Sequence, residues 1–523
     1  MRLYSLLALA VVSLVVLIGL LVGMQKQTGS GPSGKLVLYA AAGIKMPVDE
    51  IVDAYETYHE ETLGGRMRVE VHYAGSGDLL ARLGTGVEAD LYLAADESYV
   101  DAAREKGLVA EAIPLATMVP VVAFSEDTEG EGVDSLAELA DLVRNDLRLG
   151  LGEPGSAAIG KISREALEAA GVWEEVSENL AVTKPTVNDL GMDLQIGALD
   201  AAIVWDTLAR QFELGFRELP ELSERSMNVT VGVAASSRQP QAALHLARFM
   251  ASPEHGAEAF ARHHFTAVPG DSWADRPELI LFSGAINRNA LGPLVESFER
   301  REGVRVNATF NGCGLLTSQM KVMGDQTRAS GFPDLYVACD IYYMDPVEEW
   351  FEEQVAVSGT DLVIVTAKGN PHEIESLADL ARPGLRLVFG NPTHCTVGAL
   401  TERLLQHENL HEAVSPNIVE RTTSSALLVP AVVTGAADAT LAYETDTRAE
   451  RDKLEVVPVN SPRARAVQPF GRSRQTEYPQ LSKRFYEHIA RGGEDYEGLG
   501  FEWLIGKDLE QFSVTPPSGA REN

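Results

Sequence analysis

The chain has 523 residues, of which 45% are hydrophobic and 23% are charged, the composition of an ordinary globular protein. Because a domain holds about 150 residues, this length exceeds a single core and predicts three or four lobes. The 44 Lys and Arg residues against 76 Asp and Glu give a net charge of −32, so we expect no nucleic-acid partner. The net charge does not exclude a small anionic ligand, because a site for such a ligand holds it with nearby N–H groups and does not depend on the net charge of the protein.

An uncharged run from Leu3 to Met24 opens the chain. It is longer than the roughly 7–15 apolar residues of a signal peptide and close to the roughly 20 that span a bilayer. We therefore predict an inner-membrane anchor over residues 1–24, a flexible Gly/Ser-rich tether over residues 25–35, and a periplasmic or other extracytoplasmic body. A cleaved signal peptide is the alternative.

Two turns of small residues follow the first two predicted strands. A buried strand at Leu36–Ala40 opens into Ala41–Gly43, and a second strand at Arg68–Tyr73 is followed by Gly75–Gly77 and an amphipathic helix. A third strand at Ala89–Ala95 completes a β-α-β-α-β pattern, which predicts a parallel sheet flanked by helices. Ligands of such sheets bind outside the carboxyl ends of the strands, where both turns lie.

The second of these turns places Ser76 between two glycines at a helix N-terminus. Converging backbone N–H groups and the helix dipole suit an anion or the polar end of a small ligand. Short glycine motifs are weakly specific, so a βα turn without a ligand is the alternative interpretation. The stretch around Cys313, FNGCGLLTSQM, copies YAGSGDLLARL, and this repetition favours a functional interpretation.

The segment that follows is predicted to form a second lobe. Met118–Phe124 predicts the strand that crosses over, and the loop GEPGSAAIGK opens a helix at Ile159 and Gly160. Asp200–Trp205 predicts a further strand, and Asn228–Ala234 predicts the strand that returns. This path predicts a two-lobed clamp with its ligand cleft at the hinge.

The same pattern occurs a second time. A linker rich in Pro, Gly and Asp, over residues 269–278, precedes ELILFSGAINRN, which mirrors KLVLYAAAGIKM. PDLYVACD mirrors ADLYLAAD, and GAADATLAYETD mirrors GALDAAIVWDTL. The shared order predicts a tandem duplication, with domains over residues 36–268 and 279–506 and a tail over residues 507–523.

No catalytic pattern is evident. The chain shows no GxSxG elbow and no HExxH, and no Walker lysine follows its GxG turns. We therefore predict that the protein is not an enzyme and does not bind a nucleotide.

The motifs LYAAAG, YAGSG, ADLYLAAD, GEPGSAAIGK and GALDAAIVW, in that order, resemble the periplasmic molybdate- and tungstate-binding proteins of ABC importers. The resemblance covers residues 35–268, with a weaker copy over residues 279–504. It implies two tandem type II periplasmic-binding-protein clamps, each of two α/β lobes that close over a tetrahedral oxyanion at the interlobe cleft.

The resemblance also implies a ligand shell. In that family, hydroxyls of the two turns, N–H groups before the second-lobe helix and an aromatic hydroxyl hold the anion. Gly43 here lacks the hydroxyl, Trp205 offers an indole N–H, and Asp206 adds a carboxylate. These departures leave the ligand open among molybdate or tungstate, sulfate-like anions, other small solutes and no ligand. The ligand-binding residues implied for the first domain are Gly43, Ser76, Gly77, Ile159, Gly160, Trp205 and Asp206.

The second domain departs from the pattern through its cysteines. Cys313, Cys339 and Cys395 take the places of Ser76, Ala95 and Ala157, and His394 precedes the last of them. Three thiols and an imidazole are ligands that zinc prefers, and thiolates bind copper(I), so a metal site with these four residues is predicted. Inert buried thiols, or a disulfide such as one between Cys313 and Cys395, are the alternatives. Tyr443 and Glu444 take the places of Trp205 and Asp206. Tyr443 restores the aromatic hydroxyl of the family pattern, so an anion is also a candidate ligand for this cleft.

The expected function is that of an extracytoplasmic solute-binding protein for ABC import. Its partners would be a small inorganic ligand, an ABC permease and, through the N-terminal helix, the membrane. Ligand binding would shift the clamp toward a closed form that the permease recognises. Sensing or buffering of the ligand is an alternative role, and a thiophilic metal-binding or redox module in the second domain is the alternative function.

Overall fold

The computed structural model describes residues 34–128, 132–324 and 331–507. The chain divides into two compact units, Met1–Gly270 and Asp271–Asn523. The predicted anchor over residues 1–24 lies outside the described residues, as does most of the predicted tether. Within the described ranges, no helix has the length and hydropathy needed to cross a membrane.

The first unit alternates strands and helices as its sequence pattern predicts. Its strands are β1 Gly34–Ala41, β2 Met67–Ala74, β3 Leu91–Ala94, β4 Val109–Met118, β5 Pro120–Phe124, β6 Leu149–Gly152, β7 Val182–Lys184, β8 Ala201–Trp205, β9 Gly215–Arg217, β10 Met227–Ala234 and β11 Thr266–Ala267. Its helices are α1 Lys45–Glu61, α2 Ser76–Gly84, α3 Glu97–Glu105, α4 Leu136–Arg144, α5 Ala158–Ala169, α6 Trp173–Glu178, α7 Val187–Gln195, α8 Asp206–Gln211, α9 Pro220–Ser223, α10 Pro240–Ala251 and α11 Gly256–Arg262.

These strands form two sheets, one in each lobe. The first lobe has the order β11-β4-β10-β3-β1-β2, and the second has the order β7-β6-β8-β5-β9. In the first lobe β1 runs parallel to β2 and β3, while the returning β10 is antiparallel to β3. All residues of β3 and β8 are buried, as expected for sheets covered by helices on both faces. The carboxyl ends of β1, β2 and β3 therefore meet at one edge of the first lobe.

The second unit contains a further ten strands and seven α-helices among its described residues. The strands are β12 Glu278–Gly284, β13 Arg305–Asn311, β14 Leu335–Val337, β15 Phe351–Ala367, β16 Leu387–Gly390, β17 Ile418–Thr422, β18 Ala439–Tyr443, β19 Leu454–Pro458, β20 Arg465–Ser473 and β21 Glu502–Trp503. The helices are α12 Arg288–Glu302, α13 Cys313–Met323, α14 Thr396–His407, α15 His411–Val414, α16 Leu428–Val433, α17 Pro479–Ala490 and α18 Gly493–Gly498.

The hinge of the second unit differs from that of the first. β15 pairs with β20 through residues 351–361 and with β18 through residues 362–366, so a single strand passes through both lobes. The strands consequently form one ten-stranded sheet, whereas Val119 separates β4 from β5 in the first unit. Each unit nevertheless has two α/β lobes, which confirms the predicted fold of two tandem clamps.

The copy of helix α3 is also altered. Its place in the second unit holds two 3-10 helices, Ile341–Tyr343 and Asp345–Trp350. Pro346 explains the change, because proline lacks a backbone N–H and disfavours helical geometry in the residue before it.

Candidate functional site

A small cavity lies between the two lobes of the first unit, at the carboxyl ends of the strands. Its volume, measured as the space open to the centre of a water-sized sphere, is about 20 Å³. Four of the predicted ligand-binding residues line it, namely Gly43, Ser76, Ile159 and Trp205. The cavity suits a ligand of only a few heavy atoms, because a single water needs about 10–15 Å³ by the same measure.

Ser76 supplies a hydroxyl to the cavity. It is the first residue of α2 and is almost fully buried, and its Oγ accepts a hydrogen bond from the backbone N–H of Ala95 at 3.2 Å. The backbone carbonyl of Ser76 accepts a hydrogen bond from the hydroxyl of Tyr92 at 2.8 Å. Because its oxygen already accepts a bond, the Ser76 hydroxyl can direct its hydrogen toward a ligand.

The glycines on either side of Ser76 let the second lobe approach. A Cβ at Gly75 would lie 2.3 Å from the carbonyl oxygen of Ser156, and one at Gly77 would lie 2.2 Å from that of Gly155. No other residue type fits at either position while the lobes are this close. Gly77 does not line the cavity, so its place in the site is explained by this contact between lobes.

Ile159 brings a second helix N-terminus to the cavity. It lies in the first turn of α5, where the macrodipole adds positive potential. The N–H of Gly160 in the same turn already donates to the Ala157 carbonyl at 3.0 Å. Gly160 lies behind this turn, where a Cβ would be 2.4 Å from the carbonyl oxygen of Gly152. Gly160 therefore allows α5 to pack on β6 and does not itself line the cavity.

Gly43 and Trp205 face each other across the cavity. A Cβ at Gly43 would lie 2.9 Å from Val187 Cγ1 and 3.4 Å from Trp205 Cδ1. The absence of a side chain at Gly43 therefore keeps this part of the cavity open. Trp205 is the last residue of β8 and is almost fully buried, so its ring forms a rigid wall.

Asp206 does not line the cavity, although the resemblance places it in the ligand shell. Its Oδ1 accepts a hydrogen bond from the N–H of Val119 at 2.9 Å, and its own N–H donates to the Val119 carbonyl at 2.8 Å. Burial raises the pKa of this carboxyl. The carboxylate is thus bound to the crossing between the lobes, and its charge does not face the ligand.

Sequence reasoning missed the contribution of helix α7. Thr186 and Val187 both line the cavity, and the Thr186 hydroxyl caps α7 by accepting from the N–H of Asp189. A signal for this element was present, because Thr186 and Asp189 have the spacing of a capping box.

Lys161 is a second residue that sequence reasoning missed. It follows the first turn of α5 in the second lobe, and its Nζ lies 3.5 Å from Asp96 Oδ2 in the first lobe. Nζ also donates to the Ser98 hydroxyl at 2.6 Å. Asp96 caps α3 and is buried, so this ion pair joins the two lobes beside the cavity.

In the second unit, Cys313 and Cys339 form a disulfide. Cys313 Sγ accepts from the N–H of Cys339 at 3.0 Å, as Ser76 Oγ accepts from Ala95. The bridge thus takes the place of the Ser76 hydroxyl. Gly284 accommodates it, because a Cβ there would lie 2.3 Å from Cys339 Sγ.

The predicted four-residue metal site is not what the structure shows. Two of its sulfurs are bonded to each other and are not thiolates, which leaves Cys395 as the free thiol of the described residues. Burial raises the pKa of Cys395, and the side chain of His394 is exposed. Among the described residues no group of three or more His, Cys, Asp or Glu side chains could hold a metal ion. A disulfide is present, as one alternative predicts, but it joins Cys313 to Cys339 and not to Cys395, so the pairing of Cys313 with Cys395 is wrong and the four-residue metal site is withdrawn.

Tyr443 and Glu444 differ in their surroundings. Tyr443 ends β18 as Trp205 ends β8, and it is 1% exposed, with no hydrogen-bond partner for its hydroxyl within residues 34–128, 132–324 and 331–507. Glu444 begins a 3-10 helix and is half-buried.

A comparison with protein families matches this chain twice. The family described as bacterial extracellular solute-binding protein matches residues 36–266 and residues 279–492. A Haemophilus influenzae protein described as a binding protein is 34% identical over 46% of this chain and 93% of its own length. The molybdate-binding protein ModA of Mycobacterium tuberculosis is 29% identical over 43% of this chain and 84% of its own length.

Two solved structures match part of this chain at low identity. The Azotobacter vinelandii periplasmic molybdate-binding protein is 14% identical, with 43% of this chain and 98% of that chain covered and a TM-score of 0.35. The sulfate-binding protein SubI from Mycobacterium tuberculosis is 15% identical, with 46% of this chain and 92% of that chain covered and a TM-score of 0.37.

Proposed function

The chain belongs to the family of bacterial extracellular solute-binding proteins, and on this premise we propose that its first unit captures an oxyanion of the molybdate or tungstate type for ABC import. The convergence of the Ser76 hydroxyl and the N-terminus of α5 on one small cavity carries this proposal. Relatives described as molybdate-binding proteins support it.

The chemistry of the cavity wall favours an anion that only accepts hydrogen bonds. Its lining consists of Ala, Gly, Ser, Thr, Val, Ile and Trp, so no carboxylate faces the ligand. Two helix N-termini, those of α2 and α5, provide N–H groups and positive potential without a mobile cation. A fully deprotonated tetrahedral oxyanion matches such donors, because it has acceptors on every side.

Binding is coupled to closure of the lobes. Ser76 and Gly43 belong to the first lobe, whereas Ile159 and Trp205 belong to the second, so the shell is complete only when the lobes meet. The ligand therefore stabilises the closed form, and we propose that an ABC permease recognises that form. The protein would act in this way without catalysis.

Isothermal titration calorimetry with molybdate, tungstate and sulfate tests the proposal. We expect saturable binding of molybdate or tungstate, and Ser76→Ala should weaken it about tenfold or more, because a hydrogen bond to a charged group contributes about 1.5–3 kcal/mol. Ser177→Ala is the matched control, since that hydroxyl bonds the Glu174 carbonyl outside the cavity. Absence of heat with all three anions would refute the oxyanion assignment.

The extracytoplasmic location is a property of the family, and the anchor over residues 1–24 is our proposal for how the protein stays at the membrane. Fractionation of cells that express the full chain tests it. We expect the protein to sediment with membranes and to retain residues 1–24 by mass spectrometry. A mature protein that lacks these residues would show that the segment is a cleaved signal peptide.

A further inference from the structure

A larger cavity lies in the first lobe of the second unit. Its volume, measured as for the cavity of the first unit, is about 190 Å³, against about 20 Å³ there. Glu278 begins β12, Asp334 directly precedes β14, and both line this cavity, so it lies at the amino ends of these strands. Cys339 follows the carboxyl end of β14, at the opposite edge of the sheet. The cavity is therefore separate from the ligand cleft that the repeat predicts.

Three carboxylates and two aromatic rings line this cavity. The carboxylates belong to Glu278, Asp334 and Glu477, and the rings belong to Phe332 and Tyr478. The other lining residues are uncharged, so no Lys or Arg of the described ranges lines it. Such a wall is negative and partly apolar, which favours a cation with an apolar body.

A hydrogen bond common to both units shows which residues correspond. The Thr476 hydroxyl donates to Asp334 Oδ1 at 2.6 Å, as the Ser237 hydroxyl donates to Asp90 Oδ1 at 2.6 Å. The register of β14 with β20 and that of β3 with β10 give the same alignment. Asp334 is thus a structural acceptor that both units keep, and the rest of the lining can be compared position by position.

Two residues that form an ion pair in the first unit are replaced in the second. Arg238 Nη2 lies 3.2 Å from Glu88 Oε1, and the corresponding positions hold Glu477 and Phe332. The second unit therefore has a carboxylate where the first has a guanidinium, and a ring where the first has a carboxylate. The Phe332 ring packs edge-on against Trp350, with ring centroids 5.8 Å apart, and this contact limits its movement.

The charge at a further position is reversed. Glu278 takes the place of Lys35, and Tyr478 takes the place of Gln239, whose side-chain amide donates to the Lys35 carbonyl at 2.9 Å. With the shared aspartate counted, the corresponding positions hold two cations and two carboxylates in the first unit. In the second unit they hold three carboxylates and no cation. The duplication has thus produced a negative cavity at a place that is neutral in the first unit.

Two arginines lie near the cavity without lining it. Arg305 Nη1 lies 3.8 Å from Glu278 Oε2, but Arg68 holds the same strand position in the first unit, so this cation does not alter the difference. Arg474 is specific to the second unit, and its Nη1 lies 3.6 Å from Glu352 Oε2. One arginine beside three carboxylates leaves an excess of negative charge at the cavity.

We propose that this cavity binds a small organic ammonium ion. Carboxylates and the faces of aromatic rings both attract an ammonium group, and an alkyl body would cover the apolar part of the wall. A bare metal ion fits less well, because the volume of about 190 Å³ far exceeds the roughly 10–15 Å³ that one water needs. Among the described residues, moreover, no group of three His, Cys, Asp or Glu side chains could hold a metal ion. The proposal does not depend on the oxyanion site of the first unit.

Calorimetry of the full-length protein with choline and butylammonium as probes tests the proposal. The matched ligand control is the alcohol in which carbon replaces the choline nitrogen, because it has the shape of choline without the charge. We expect at least one of the two ammonium ions to bind at one site per chain. The uncharged alcohol should bind more weakly than choline by about tenfold or more.

The double variant Glu278→Gln and Glu477→Gln should weaken ammonium binding about tenfold or more, since it removes two charges and keeps the shape of both side chains. Glu420→Gln is the control variant, because that carboxylate is exposed on β17. Ser76→Ala should leave ammonium binding unchanged, so failure of the oxyanion site and failure of this site are distinguishable.

Three results would overturn the proposal. One is absence of heat with both ammonium ions, and another is equal affinity for choline and its uncharged isostere. The third is ammonium binding that the double glutamine variant leaves unchanged, with a melting curve that shows the variant to be folded.

Discussion

The backbone N–H of Gly77 in the first lobe donates a hydrogen bond to the carbonyl of Ser156 in the second lobe, with an N···O distance of 2.9 Å. This bond crosses the cleft directly beside Ser76. It forms only because Gly75 and Gly77 present no Cβ to the approaching loop. The glycines around Ser76 are therefore needed for closure of the lobes as well as for the turn.

Substitution of Gly77 by alanine should impair closure. The new Cβ would lie 2.2 Å from the Gly155 carbonyl oxygen, and overpacking of this kind costs about 1–3 kcal/mol. We expect oxyanion affinity to fall about tenfold or more by calorimetry, with little change in the melting temperature of the ligand-free protein. Gly215→Ala is the control, since nothing lies within 4 Å of a Cβ there. Equal affinities of Gly77→Ala and wild type would contradict this account.

Lys161→Met should weaken oxyanion binding to a smaller extent. The ion pair with Asp96 joins the lobes, but the lysine side chain is 36% exposed, so the pair contributes about 1 kcal/mol or less. We expect the dissociation constant to rise up to about fivefold, with a larger effect at low salt. Arg164→Met, which removes an exposed pair with Glu168 on the same helix, serves as the control. An unchanged dissociation constant at low salt would exclude a role for Lys161 in closure.

Only one thiol should titrate in the oxidised protein after denaturation. If the protein is reduced before denaturation, three thiols should titrate. The difference arises because Cys313 and Cys339 form a disulfide while Cys395 is free. Loss of the disulfide should destabilise the second unit by about 2–4 kcal/mol. The double variant Cys313→Ser and Cys339→Ala, which restores the residues of the first unit, should show the same loss in urea. Three thiols without reductant would refute the bridge.

Asp446 should contribute a loss of stability to the second unit as the pH rises from about 4 to about 6. Burial raises the pKa of Asp446 from 3.8 to about 6, so the folded state holds a proton that the unfolded state has released in this window. The difference amounts to at most about 3 kcal/mol at pH 7 and vanishes below pH 4. Asp446→Asn should remove this part of the pH dependence in urea unfolding. Parallel pH profiles for wild type and variant would count against the buried carboxylate.

Much of the fold could be predicted from local patterns. Strand, turn and helix alternate in the same order in both halves, and the family match to residues 36–266 and 279–492 agrees with the predicted duplication. The sequence predicts a ligand site at the small-residue turns around Gly43 and Ser76, because the carboxyl ends of parallel strands meet at one edge of the sheet. Both residues line the cavity.

Several site residues could not be assigned in this way. Asp206 follows Trp205 directly, but only the packed hinge shows that its carboxylate bonds Val119 rather than facing the cavity. Lys161 lies beside the cavity and its partner Asp96 belongs to the other lobe, so no local pattern in the sequence indicates this ion pair.

The sequence alone determined the two-fold repeat, the α/β order and the turns that could hold a ligand, because these depend on residue type and spacing along the chain. Tertiary structure decided which sulfurs pair, which glycines admit the opposite lobe and which carboxylates face a cleft. Those outcomes depend on distances between segments that are remote in sequence, and local propensity does not specify such distances.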